Sequence, residues 1–280
     1  MAAVTPGTGR TMESERQLRR RLECLIGVHF TEGNAVTVLR NGDEIFPAML
    51  EAIRGAQRSV NLMTYVYWKG APAREFAAAL SERARAGVRV RVLIDAIGGF
   101  LIEKGLIEAM EQAGVDVQWF RKPWLRSPFK QNHRCHRRVC IVDEHIGFTG
   151  GVGIAEEWCG DARDETEWRD THIRVDGPAV DGLAAAFGEN WAETGRALYD
   201  ERDLFPEQPQ PGRATIQVVR GSASIGWDDM QTVWYVLLRT AQTSIQLQTA
   251  YFSPDPTYLA AFCEAAERGV TVDVMVPGPH

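Results

Sequence analysis

Nowhere do the 280 residues contain 18 consecutive apolar side chains, so no segment reads as a transmembrane helix. The longest apolar runs, such as 88–97, are strand-length and carry arginines. The first thirteen residues lack the apolar stretch of a secretion signal and read as a disordered tail. Cysteine is scarce and unpatterned. Cys24, Cys135, Cys140, Cys159 and Cys263 form no CxxC pair and no metal-ligand spacing. That excludes a disulfide scaffold and a zinc ribbon, and fits reduced thiols in a cytoplasm. Basic residues are in the minority, 31 against 37 acidic, for a formal charge of −6. Whole-chain charge therefore gives no argument for a nucleic-acid partner. Hydrophobic residues at 45% and charged residues at 24% exclude a disordered chain. A chain of this length buries a sizeable core without covalent staples.

What is present is a repeat. Residues 36–65 run Val-Thr-Val-Leu-Arg-Asn-Gly, a helical stretch, Ala56-Gln57-Arg58-Ser59-Val60, then a short apolar run to Tyr65. Residues 216–251 run Ile-Gln-Val-Val-Arg-Gly-Ser, a helical stretch, Ala241-Gln242-Thr243-Ser244-Ile245, then a similar run to Tyr251. Each copy continues with a helix stopped by glycine, Gly87 or Gly269, and a Val-rich strand, 88–95 or 270–276. Alternating strands and helices imply an α/β fold with a mostly parallel sheet flanked by helices. The boundaries read as a tail at 1–13, a first lobe at 14–198, a Pro-rich linker at 199–213 and a partial second lobe at 214–280.

Residues 121–138, RKPWLRSPFKQNHRCHRR, hold seven Lys and Arg and no acid. One basic cluster on an acidic chain attracts phosphates or an anionic surface. The following 139–142 reads as a buried strand, Asp143-Glu144-His145 as a turn, and 146–149 as a second strand before Gly150, Gly151 and Gly153. Successive side chains of an extended segment alternate, so His136 and Arg138 share a face, an imidazole beside a cation. The glycines permit close backbone approach to an anion.

The stretch His136-Arg-Arg138, four residues, Asp143, six residues, Gly150-Gly151 resembles the phospholipase D superfamily signature HxK-x4-D-x6-GG. The flanks 147–158 and 167–180, with 248–255 in the second copy, resemble the bacterial cardiolipin synthase branch. The resemblance spans about residues 14–280. It implies phospholipase D-like lobes, one complete and one truncated, and a two-step displacement at phosphorus without a metal or other cofactor. His136 takes the place of the nucleophile, or in some arrangements the acid/base, and passes through a phosphohistidine. Arg138 takes the place of the Lys that stabilises phosphoryl charge. Asp143 takes the place of the motif aspartate, a structural residue more than a chemical one. Asp170 takes the place of a carboxylate set against the nucleophile's imidazole, the alternative being an ion pair to Arg169 or Arg174. Gly150, Gly151 and Arg134 are expected to bind substrate, with Tyr65 and Tyr251, which end equivalent strands. Core packing is the expectation for at least two of Tyr65, Tyr67 and Trp68. His133 reads as a basic-loop residue rather than half of a metal pair, and His172 as either a packed or a site residue.

The departures from the family pattern bear on activity. Guanidinium at 138 is bulkier and more planar than an ammonium, so reduced turnover with retained phosphate binding is expected. Gly153 stands where many members have Asn. The second His-containing motif would fall about 182 residues after the first, past residue 280. Three readings follow: a fragment of a longer enzyme, a homodimer completing the site, or a degenerate protein. The function implied is a cardiolipin synthase-like phosphatidyltransferase acting on phosphatidylglycerol. The partner is an anionic phospholipid, and the place is cytoplasmic, peripheral on the inner face of the cell membrane. The alternatives are a phospholipase D-type phosphodiesterase hydrolysing phospholipid or nucleic acid, and a non-catalytic phosphate or membrane-surface binder.

Overall fold

A computed structural model describes residues 8–122, 134–197, 205–221, 228–276 and 278, with backbone alone for 8–14. The chain divides into two compact units, one spanning 31–224 and one combining 1–30 with 225–280. The larger contains β1 (Thr31–Arg40), α2 (Asn41–Gly55), β2 (Ser59–Thr64), α3 (Ala71–Arg85), β3 (Arg89–Asp95), α4 (Lys104–Gln112) and β4 (Asp116–Phe120). It continues through β5 (Val139–Val142), β6 (Ile146–Gly150), β7 (Thr171–Asp176), α5 (Ala179–Ala192) and β8 (Ala214–Ile216). The smaller contains α1 (Thr8–Ile26), α6 (Asp229–Thr240), β9 (Ser244–Gln248), α7 (Pro256–Glu267) and β10 (Thr271–Met275).

Eight strands form one sheet in the order β4-β3-β2-β5-β6-β7-β1-β8. Only β2–β3 and β3–β4 are parallel. The other neighbours run antiparallel. The sheet is mixed, which corrects the mostly parallel one expected. The reason is connection length. Helices α3 and α4 cross over between parallel strands, whereas β5 and β6 are joined by the three residues 143–145, which can only reverse the chain. Apolar stripes place the helices. Ile45, Phe46, Met49 and Ile53 of α2 and Phe76 and Leu80 of α3 are buried in one cluster with Leu62, Val92 and Cys140. On the opposite face α5 contributes Leu183, Phe187 and Trp191, packed with Met63, Leu93 and Ile141. Covered on both sides, all six residues of β2 are buried.

The repeat is visible in the backbone. The order α2-β2-α3-β3 recurs as α6-β9-α7-β10, with β9 and β10 also parallel. Ala56 and Ala241 end their helices at φ −57° with ψ of 135° and 134°. Gly87 and Gly269 sit at φ +87° and +88°, where an L side chain would be strained. Two expected boundaries differ. Helix α1 begins at Thr8, so part of the expected tail is helical. Strand β8 pairs with β1 through Thr31↔Ile216 and Asn34↔Ala214, which puts 214–221 in the larger unit. In the expected linker, Gln208 donates to Glu144 O at 2.7 Å and to Asp181 Oδ1 at 2.8 Å, and so ties that stretch to the larger unit.

Asp143 lies at the far end of β5 from His136. Its carboxylate accepts the backbone N–H groups of Gln57, Arg58 and Ser59 at 2.8, 2.7 and 2.9 Å. Its φ is +52°, in the left-handed region that aspartate tolerates. The motif aspartate thus fastens the β5–β6 turn to the start of β2. Replacing Asp143 with Ala should lower unfolding free energy by about 1.5–3 kcal/mol, the range for hydrogen bonds to a charged group. Urea denaturation measures it. An unchanged midpoint would remove Asp143 from this role.

Candidate active site

Strand directions bring distant residues to one edge of the sheet. β2 and β3 run parallel and β5 runs against β2, so Tyr65 and Asp95 emerge where 134–138 enter. The ladder continues through Val139↔Thr149 and Gly150↔His172, adding the end of β6 and the start of β7. His136, Arg138, Tyr65, Gly150, Gly151, Asp170 and His172 therefore meet at this edge.

The His136 ring is solvent-accessible and stacks on Tyr65, with centroids 3.9 Å apart and planes 22° from parallel. Partial burial pushes its pKa below the ordinary histidine value, and the neighbouring Arg138 charge pushes it further, against a weaker opposite pull from Asp95. The imidazole is therefore neutral at neutral pH, the form with a free electron pair for phosphorus. Arg138 donates from Nη1 to the His136 carbonyl at 3.0 Å, and its guanidinium carbon lies 6.0 Å from the Tyr65 ring centre. Its carbonyl accepts the Thr149 hydroxyl at 2.9 Å. Of the expected aromatic group, Tyr65 alone reaches the imidazole. Tyr67 is fully buried with its hydroxyl on Ala73 O, and Trp68 donates to Gly98 O.

Asp170 sits in the site without a hydrogen bond to His136. Its carboxylate accepts Gly151 N at 3.1 Å, Trp158 Nε1 at 3.2 Å and Thr171 N at 2.7 Å. Its own N–H donates to Asn41 Oδ1 at 3.1 Å. Burial raises its pKa, opposed by these donors and by the charge of Arg138. The expected pairing with the imidazole is corrected: Asp170 organises the Gly151 turn and faces Arg138 electrostatically. Nor is it paired with Arg174, which binds Asp176 at 3.0 Å. Asn41 and Trp158, which hold it, carried no local signal in the sequence.

The glycines serve close packing here rather than showing an open anion cradle. A Cβ on Gly150 would stand 2.4 Å from His172 Nδ1, and one on Gly151 2.6 Å from Asp170 Oδ2.

Arg134 is not available as a substrate ligand, which overturns that expectation. Its Nε and Nη2 engage Asp95 at 3.1 and 2.9 Å, and Nη1 and Nη2 reach Arg121 O and Phe120 O. Asp95 is 1% exposed and also accepts Ile97 N, Gly98 N and Cys135 N. This acid was missed in the sequence; its signal was an Asp ending a Val-rich strand. Tyr251 belongs to the smaller unit and is 90% exposed. His133, with Arg126 and Lys130, lies outside the described residues.

A family profile described as "Cardiolipin synthase, PLD-like domain" matches residues 49–171, which contain His136, Arg138 and Asp170. Over the segment that holds the site, the chain is similar to the cardiolipin synthase-like branch of the phospholipase D superfamily. The major cardiolipin synthase of Bacillus subtilis (strain 168) is 31% identical over 89% of this chain and 52% of its own length. A cardiolipin synthase of Geobacillus kaustophilus (strain HTA426) is 31% identical over 92% of this chain and 52% of its own. The chain thus spans about half the length of these curated relatives. The crystal structure of phosphatidylserine synthase from Haemophilus influenzae Rd KW20 shares the fold, with a TM-score of 0.63 at 14% identity, over 92% of this chain and 66% of that one.

Two outcomes check the site's electrostatics. Arg134→Met, which strands a buried carboxylate, should cost about 3–5 kcal/mol in urea unfolding; a loss within experimental error would mean that Asp95 is satisfied without it. Titration of His136 by NMR should give a midpoint below 6.5, the unperturbed value, and Arg138→Met should raise it. A wild-type midpoint above 6.5 would contradict the burial and charge described.

Proposed function

We propose that this chain carries the nucleophilic half-site of a cardiolipin synthase-like phosphatidyltransferase, with phosphatidylglycerol as donor. The observation that carries the reading is the accessible His136 ring, stacked on Tyr65 beside Arg138 at the end of the sheet. The imidazole attacks phosphorus, an N–P bond forms, and the P–O bond to the leaving glycerol breaks. The departing alkoxide takes a proton from an acid. An alcohol then attacks the phosphohistidine, loses its proton, and releases the imidazole. Arg138 offsets charge on the non-bridging oxygens during both displacements. Tyr65 fixes the ring plane from behind.

The second imidazole of the family mechanism would come from the counterpart motif of a second lobe or from a second copy of this chain. Anionic phospholipid at a membrane surface suits the Arg138 cation beside His136, and we place the protein at the cytoplasmic face. Among the described residues no helix is long and apolar enough to cross a membrane, which is compatible with peripheral attachment. Hydrolysis by a phosphodiesterase is the competing outcome, with water as second acceptor.

Incubating the protein with phosphatidylglycerol vesicles and following lipids by mass spectrometry separates the readings. Cardiolipin and free glycerol are expected. Phosphatidic acid alone would mean hydrolysis, and vesicle binding without either product would mean a binder. Phosphohistidine trapped by rapid denaturation at alkaline pH should disappear in His136→Ala, and Arg138→Lys should raise turnover. A covalent adduct that survives His136→Ala would remove His136 from its role.

A further inference from the structure

Two buried polar atoms beside the site lack a partner among the described residues: Arg138 Nε and His172 Nδ1. His172 is only 2% exposed. It follows the Asp170 corner, and its register partners are Gly150 and Leu39. Both side chains line the same small cavity of about 10 Å³, which Thr64 also lines. The Thr64 hydroxyl donates to Val66 O at 2.9 Å, which leaves its oxygen lone pairs as acceptors. The remaining walls are apolar, among them Phe46, Leu62, Cys140 and Ile154.

We propose that one buried water joins Arg138 Nε, His172 Nδ1 and Thr64 Oγ1, and that His172 is thereby a positioning residue for the Arg138 guanidinium. A water needs roughly one probe sphere of space, about 10–15 Å³, and two to four polar partners. The cavity meets both conditions. The hydrogen count closes as well. The water accepts Arg138 Nε–H, and donates one proton to His172 Nδ1 and one to Thr64 Oγ1. This requires His172 neutral with Nδ1 unprotonated. Burial and the charge of Arg138 push its pKa down to about 4, which satisfies the first requirement.

The consequence falls on the guanidinium. Nη1 is committed to the His136 carbonyl, and Nε is turned inward to the water. Nη2 is left to meet a phosphoryl oxygen held at His136. Without the water bridge, a buried Nε–H loses its partner, and the side chain gains by rotating Nε towards solvent and away from this aim. The arrangement is specific to arginine, because a lysine at this position has no nitrogen inside the cavity. It gives Arg138 a physical rationale: the cavity supplies the anchor that a guanidinium needs and an ammonium does not.

The proposal rests on reading the site as a phosphoryl site, and its test does not require turnover. Binding of inorganic phosphate by the full chain is measured by calorimetry. His172→Phe should weaken it about five- to tenfold, the scale of one ordinary net hydrogen bond. His172→Asn, whose Oδ1 can stand near the Nδ1 position, should hold affinity within about twofold of wild type, as a water-mediated contact allows. In an Arg138→Lys background His172→Phe should change phosphate affinity no further, a non-additivity that a merely structural role would not produce. Nitrogen-15 NMR should show a slowly exchanging Arg138 Nε–H that becomes fast-exchanging in His172→Phe and stays slow in His172→Asn. Unchanged phosphate affinity in folded His172→Phe, or an equal loss in the Arg138→Lys background, would overturn the proposal. If these dependences hold while no phosphohistidine forms, the water bridge stands and the nucleophilic reading of His136 fails.

Discussion

The Asp95 carboxylate is removed from water at the end of β3 and is satisfied by the guanidinium of Arg134 and three backbone N–H groups. A buried carboxylate left alone would cost several kcal/mol, so the chain has little freedom to place Arg134 elsewhere. Because the Cys135 N–H is one of the donors, the pair sets the path of the backbone immediately before His136. The same arginine clasps the Phe120 and Arg121 carbonyls and so locks β4 to the entrance of β5. Cys135 itself is buried against Met63, and burial pushes its thiol up to about 11, which makes it packing material rather than a reactive group.

At the opposite end of β5 a second carboxylate does comparable work. Asp143 gathers three successive N–H groups at the start of β2 and fixes where the central antiparallel strand begins. With both ends of β5 pinned, the imidazole at 136 and the guanidinium at 138 arrive on the face shared with Tyr65, Asp170 and His172. Arg137 points to the other face and is bound to Glu189, Asn190 and the Ala186 carbonyl of α5, with further bonds to the Arg220 and Gly221 carbonyls. Three consecutive residues thus alternate between the site face and the tether to α5, a division that follows from the two-residue period of an extended chain.

Much of this was legible before any coordinates. The repeat, the helix stops at Gly87 and Gly269 and the shared face of His136 and Arg138 rest on local rules, and local rules act through neighbours in sequence. The mixed sheet was not legible in full, because in the larger unit strict alternation of strands and helices holds only as far as β4, and β5 and β6 are then joined by a three-residue reversal. Arg134 looked like a phosphate ligand because its basic neighbours suggested one surface, whereas its actual partner lies 39 residues earlier in the chain. Asp170 looked like the partner of an imidazole, and three nearer donors claim its oxygens.

By itself the sequence determined which residue types stand at motif spacing, how the α/β repeat is punctuated, and where positive charge is concentrated. Those are properties of spacing and composition, which a linear chain already possesses. Tertiary structure decided which carboxylate meets which cation, and which polar atoms are sealed from water. A hydrogen bond or a desolvation cost depends on distances of a few ångströms between strands far apart in the chain, and those distances exist only after the sheet has closed.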